Sequence, residues 1–141
     1  MSKIVVGVDG SPASEAALRW ALEYAASFDA PVEVIMSWNE HPLLAGISET
    51  VGGGVPLDQV EAQANVLLEA TLAAATPDGC KVAITRSTVS GAPGDVLVEA
   101  AQLAALLVVG RHERGALSLP IGSVSAHCVR HSACPTVVVP A

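Results

Sequence analysis

The sequence is poor in aromatic residues: two Trp, one Tyr and one Phe among 141 positions. A core with few rings must be filled by small and branched aliphatic side chains. Alanine and valine carry much of the 51% hydrophobic fraction, which suits helices packed closely on a sheet. Charge is also scarce, at 15%, and cations are the scarcer sign: seven Lys and Arg against 14 Asp and Glu, a formal net charge of −7. A chain this apolar is not disordered. One this acidic has no basic surface for nucleic acid and no attraction to an anionic membrane. Its three cysteines, Cys80, Cys128 and Cys134, are odd in number and fit no zinc, CxxC or disulfide-framework spacing, so they read as reduced, packed thiols. No apolar run approaches the ~18 residues that span a bilayer. Met1-Ser2-Lys3 leads straight into a strand without a signal-peptide pattern, so a reducing cytoplasm is the expected setting.

What is present is an alternation. Lys3 to Val8 is a β-branched apolar run that reads as a buried strand. Ser11-Pro12 supplies an N-cap and a first-turn proline, and Leu18, Ala21, Leu22 and Ala25 recur at helical spacing to about Phe28. A second strand is expected over Val32 to Trp38, followed by a long, mobile connection at 39–55 containing three consecutive glycines. Leu57, Val60, Ala64, Leu67, Leu68, Thr71 and Leu72 form the apolar stripe of the next helix, closed by Pro77-Asp78-Gly79. A third strand is expected from Lys81 to Val89, a turn from Ser90 to Gly94, a short helix from Asp95 to Leu103, and a fourth strand from Ala105 to Val109. A helix from about Gly122 to His131 and a strand from Pro135 to Val139 complete the chain. Continuous apolar strands alternating with helices imply one α/β domain over 1–141, a parallel sheet with helices on both faces.

In such a sheet, ligands bind outside the carboxyl ends of the strands. Here those ends deliver Asp9-Gly10-Ser11, Ser37-Trp38-Asn39, and Gly110 with the loop that follows it. A helix opening at Gly122-Ser123 points free N–H groups and a positive dipole end at that edge. Ser123 and Ser125 add hydroxyls, and Arg111 and Arg114 add local positive charge. Asp9 is placed to bond a ribose hydroxyl or to hold a phosphate-bound metal through water, and Trp38 offers a face for a base. Each has a plainer reading: Asp9 ordering its own turn, Trp38 in the core, Gly-Ser as an ordinary N-cap, and the arginines as solvated surface.

The common catalytic and nucleotide motifs are missing. There is no GxxxxGK[ST], no GxGxxG after the first strand and no GxSxG. His127 and His131 are spaced i, i+4 without an intervening carboxylate and read as surface or interface residues.

Three segments together resemble the universal stress protein family. KIVVGVDGSPASEAALRWALEYA is similar to its opening strand, acidic turn and first helix; GAPGDVLVEAA to its short third helix; LLVVGRHERGALSLPIGSVSAHCVRHSACPTVVVP to its closing signature. The resemblance implies a Rossmann-like five-stranded sheet of order 3-2-1-4-5 and a homodimer through the last strand, Pro135 to Val139. The family's ATP-binding members carry G-x2-G-x9-G-[ST] after the fourth strand. Gly110 matches the first glycine, Gly122 and Ser123 the final pair, Asp9 the acidic residue and Trp38 the position near adenine; Val109, Val124 and Ser125 match lining positions. Glu113 stands where the second glycine belongs, and only eight residues separate it from Gly122, one fewer than the pattern. Gly115 is placed to restore flexibility to a rearranged loop, and Arg111 and Arg114 to offset the glutamate. The resemblance thus implies an ATP-binding stress protein, with Mg2+ carried by the nucleotide, acting by binding, with at most weak hydrolysis. The alternatives are a dimeric interaction module of the same family without a nucleotide, and, more remotely, a nucleotidyl-transferring enzyme.

Overall fold

Strand β1 (Ile4–Gly7) is buried at every residue, as a strand covered on both faces must be. The computed structural model, which describes residues 2–38, 57–111 and 123–140, places it at the centre of a five-stranded sheet of order β3-β2-β1-β4-β5. The other strands are β2 (Val32–Ser37), β3 (Ile84–Val89), β4 (Leu106–Gly110) and β5 (Thr136–Val139). Every pairing is parallel. The described helices are α1 (Pro12–Phe28), α2 (Leu57–Ala75), α3 (Pro93–Ala100) and α4 (Ser123–His131). The architecture and strand order are those the sequence leads one to expect.

Side-chain alternation along the strands divides the core in two. Ile4 and Val6 of β1 join Val34, Val108, Leu18 and Leu22 of α1, and Leu68 and Leu72 of α2. Val5 points the other way and joins Ile35, Leu107, Val109, Leu97 of α3 and Cys128 of α4. Thus α1 and α2 cover one face and α3 and α4 the other. Fully buried leucines such as Leu18 and Leu22 each contribute about 1.5–3 kcal/mol by leaving water.

Helix α1 forms where its capping signals stand. Ser11 is extended (φ −77°, ψ 158°) and its side chain accepts the Ser14 N–H, with Pro12 in the first turn. The helix stops at Asp29, which turns left-handed (φ 52°) and bonds Ala25 O through its N–H.

Several boundaries and one burial expectation differ, among them the end of α3 at Ala100 rather than Leu103. β3 starts at Ile84 rather than Lys81, in register with Val32, the first residue of β2, whose N–H donates to Ala83 O at 2.9 Å. α3 starts at Pro93 rather than Asp95, since Pro93 occupies the first turn with Ala92 as N-cap. β4 runs one residue later, through Gly110, because the Arg111 N–H donating to Val139 O at 2.8 Å prolongs its ladder. Leu67, read as part of a core stripe, is 44% exposed. The 39–55 connection lies outside the described residues.

Candidate functional site

The first strand ends in a turn tied by short-range hydrogen bonds. The Ser11 N–H donates to Asp9 Oδ1 at 2.9 Å, and the Asp9 N–H donates to Ser14 Oγ at 3.3 Å. Ser14 Oγ in turn donates to Ser11 O at 3.0 Å. Gly10 sits between them with φ +84°, a left-handed conformation that favours glycine. Leu67 of α2 lies directly over it: a Cβ at Gly10 would be 2.8 Å from the Leu67 methyls. Asp9 therefore orders its turn while remaining exposed at the carboxyl edge of the sheet.

The end of β4 is brought against the same turn. A Cβ at Gly110 would lie 2.5 Å from Ala13 O and 2.6 Å from Ala13 C, so the β4 backbone packs directly on the first turn of α1. This contact accounts for the glycine without any ligand. Ala13, which nothing in the sequence singles out, is the residue that joins the Asp9 turn to the β4 end. Arg111 follows, with an exposed side chain. Val109 is 3% exposed within the second core, so it offers the edge its backbone rather than its side chain. Trp38 is half-buried against the first core, with its N–H donating to Val89 O at 3.1 Å. Just before it, Ser37 Oγ donates to Gly91 O, which fastens the β2 end to the turn preceding α3.

Helix α4 opens onto this edge with Ser123 exposed, Val124 half-buried and Ser125 only 2% exposed. Its first turn has no acidic residue, and its last turn carries Arg130 and His131. The first turns of α1, α2 and α3 hold Glu15, Asp58 and Asp95 respectively. Among the described helices, α4 is the one whose positive end has no carboxylate of its own. Beside it lies an open groove of about 200 Å3 lined by Ala92, Gly94, Asp95, Ser123, Val124 and His127. There His127 Nε2 is 3.1 Å from Asp95 Oδ1, and the His127 and His131 rings pack at 4.5 Å. Among the described residues, no group of three His, Cys, Asp or Glu side chains is arranged to hold a metal. Arg114, Gly115 and Gly122, and with them Glu113, lie outside the described residues.

These arrangements belong with a match along nearly the whole chain. The family described as "Universal stress protein family" matches residues 1–140. The chain belongs to the universal stress protein family. A universal stress protein of Mycolicibacterium smegmatis is 31% identical over 146 residues, covering 96% of this chain and 47% of its own length. The chain spans about half the length of the curated relatives it matches, from 44% to 47% in the Mycolicibacterium and Mycobacterium proteins. Among solved structures, the universal stress protein UspA from Lactobacillus plantarum superposes with a TM-score of 0.74 at 21% identity, covering 98% of this chain and 97% of that one; this likeness is one of fold. A universal stress protein in complex with cAMP superposes with a TM-score of 0.62 at 28% identity, covering 99% and 96%. Among the described residues of this universal stress protein, no helix is long and apolar enough to cross a membrane.

Proposed function

We propose that this universal stress protein binds an adenine nucleotide, with ATP the leading ligand, at the carboxyl edge of its sheet, and acts through occupancy rather than turnover. The observation that carries this reading is the N-terminus of α4, which opens at the carboxyl edge of the sheet with no carboxylate in its own first turn. An anion there meets the positive end of a helix dipole that no carboxylate of the helix's own first turn neutralises. The 28%-identical relative solved with cAMP, an adenine nucleotide with one phosphate, supports the ligand class.

The residues present fit such a group. Ser123 is exposed at the helix start, and Arg111 is exposed at the end of β4. Phosphates would be held by Gly110 and Arg111 with Arg114 and Gly115, and by Gly122 to Ser125. The ribose would bond Asp9, and the base would lie by Trp38, with Val109 and Val124 as lining. Mg2+ would arrive with the nucleotide and offset part of the phosphate charge in a chain of net charge −7. No step of hydrolysis is assigned to these residues.

The same reading takes the chain as a single cytoplasmic domain that forms a homodimer through β5. An open edge strand needs cover, and Thr136–Val139 has none of the charged residues that natural edges use to repel a second strand. A second reading, a dimeric interaction module without a nucleotide, is favoured by one set of contacts. Gly110, Trp38 and Asp9 all have structural work in Ala13 packing, the first core and the Ser11 turn. Mass spectrometry of nucleotide released from denatured purified protein, followed by calorimetric titration with ATP and magnesium, separates the two. Released nucleotide or saturable heat supports the first reading. Neither, with a dimer still present, supports the second. Glu113→Gly is expected to strengthen binding if that carboxylate opposes phosphate.

A further inference from the structure

Three of the four aromatic residues of the protein stand on one helix. Trp20, Tyr24 and Phe28 follow each other at i, i+4 and i+8 on α1. Their rings form a continuous stack: Trp20 and Tyr24 lie 5.2 Å apart at 17°, Tyr24 and Phe28 4.6 Å apart at 34°. Trp20 is half-buried, but Tyr24 is 38% and Phe28 49% exposed. In a chain this poor in aromatics, an exposed row of rings calls for a partner.

The topology gives the direction of the row. Helix α2 packs over β2 and β3, while α1 packs over β1 and β4 and touches β5. Arg19 reaches from α1 to α2, its guanidinium donating to Ala74 O at 3.4 Å. At 3.6 residues per turn, residues 20, 24 and 28 fall on the opposite flank, the one facing β5. Trp20 packs against the same core cluster as Val137 and Val139 of β5.

β5 is an edge strand paired only with β4 among the described residues. Leu107 N donates to Pro135 O and Arg111 N to Val139 O. Odd-numbered residues therefore bond β4, and in a parallel ladder Thr136 and Val138 turn their N–H and C=O groups to the open edge. Another strand can pair with such a row. Residues 132–140 carry no charge, so two copies, each of net charge −7, can approach along this edge without placing a carboxylate in the contact.

We infer that the Trp20–Tyr24–Phe28 row is the second layer of the contact between two copies, roofing their paired β5 strands; this rests on the reading that β5 is the pairing edge. If two β5 strands pair antiparallel about a dyad perpendicular to the sheet, both α1 helices lie on the same face with their aromatic flanks turned toward each other. With strands about 4.8 Å apart, the α1 axes stand about 19 Å apart, four strand spacings. Two helices with ordinary side chains fill about 10–12 Å of this. Large rings fill the remainder, where alanine or serine would leave a trough over the valines.

The test compares dimer dissociation constants by sedimentation velocity across a dilution series, for wild type, Val138→Pro, and the double variant Tyr24→Ser/Phe28→Ser. Val138→Pro removes an edge N–H that β4 does not use, and both rings of the double variant are exposed in the single chain, so circular dichroism is expected to report a folded protein in each case. The expected result is a dimeric wild type, a monomeric Val138→Pro, and a double variant whose dissociation constant is weakened at least about tenfold. A monomeric Val138→Pro with a double variant unchanged within about twofold overturns the aromatic layer and leaves strand pairing standing. A dimeric Val138→Pro with a monomeric double variant overturns strand pairing and keeps the rings as the contact between copies. A wild type monomeric at every concentration overturns both.

Discussion

Replacing Gly110 by alanine is the sharpest perturbation the fold offers, because the added methyl meets backbone. It would lie 2.5 Å from Ala13 O, 2.6 Å from Ala13 C and 3.0 Å from Ala13 Cβ. A side chain in that position could rotate away, but a carbonyl in the first turn of α1 cannot. Relief requires the helix start to move from β4 by several tenths of an ångström, against the buried contacts of Ala17, Leu18 and Ala21. Overpacking of a close-packed interior costs about 1–3 kcal/mol, and the backbone clash places this case near the upper end. At roughly 2–4 °C per kcal/mol for a chain near this size, Tm is expected to fall by about 6–12 °C. Gly7→Ala is the control: its methyl meets the Leu97 side chain, which can change rotamer, so its loss should be smaller. Thermal unfolding followed by circular dichroism, without added nucleotide, measures both. If Gly110→Ala melts within about 2 °C of wild type, the Ala13 contact is not what requires glycine here, and the glycine belongs to a ligand instead.

Other variants test the local structure around the same edge. Ser11→Ala removes the N-cap of α1 and should lose about 1 kcal/mol in urea titration, whereas Ser11→Gly should lose only a few tenths. Asp9→Ala takes away the acceptor of the Ser11 N–H, at a cost of about 0.5–1.5 kcal/mol, and should weaken ATP binding beyond that in calorimetry. Burial pushes the Cys128 thiol up from 9.0 to about 11. The folded state then holds its proton where the unfolded chain releases it. The stability linked to this group is complete below pH 9 and falls as pH rises from 9 toward 11, by roughly 2–3 kcal/mol in all. Urea unfolding of wild type and Cys128→Ala between pH 8 and about 10.5 should show a steeper decline in wild type; parallel declines would refute the assignment.

Much of the fold is legible in local chemistry. Ser11-Pro12 and the spacing of Leu18, Ala21, Leu22 and Ala25 mark α1 because capping and periodicity act within a few residues. Apolar runs such as Ile4–Gly7 mark strands buried on both faces. Boundaries set by a neighbour are less legible: β3 begins at Ile84 opposite Val32, where β2 begins, a pairing some fifty residues apart in the chain. Leu67 fits the helical stripe of α2 yet lies exposed over Gly10, since which flank of a helix meets a turn is decided by tertiary packing. The candidate site divides in the same way. Asp9 and Ser123 stand at the sheet edge where the alternation of elements puts them. The link between Gly110 and Ala13 depends on the approach of a helix to a strand nearly a hundred residues later, and no motif records it. Gly110, a position of the closing signature, carries packing in this chain.

The central claim, that the N-terminus of α4, whose first turn has no carboxylate, grips an anion, is tested most directly by Ser123→Glu. A carboxylate in the first turn of a helix that now has none should hold or raise Tm, since it complements the dipole by about 0.3–1 kcal/mol. The same carboxylate should oppose phosphate. Calorimetric titration with ATP and magnesium is predicted to give saturable binding in wild type and at least about tenfold weaker binding in a fully folded Ser123→Glu. Equal affinity in the two proteins, or no binding in wild type, would contradict the account.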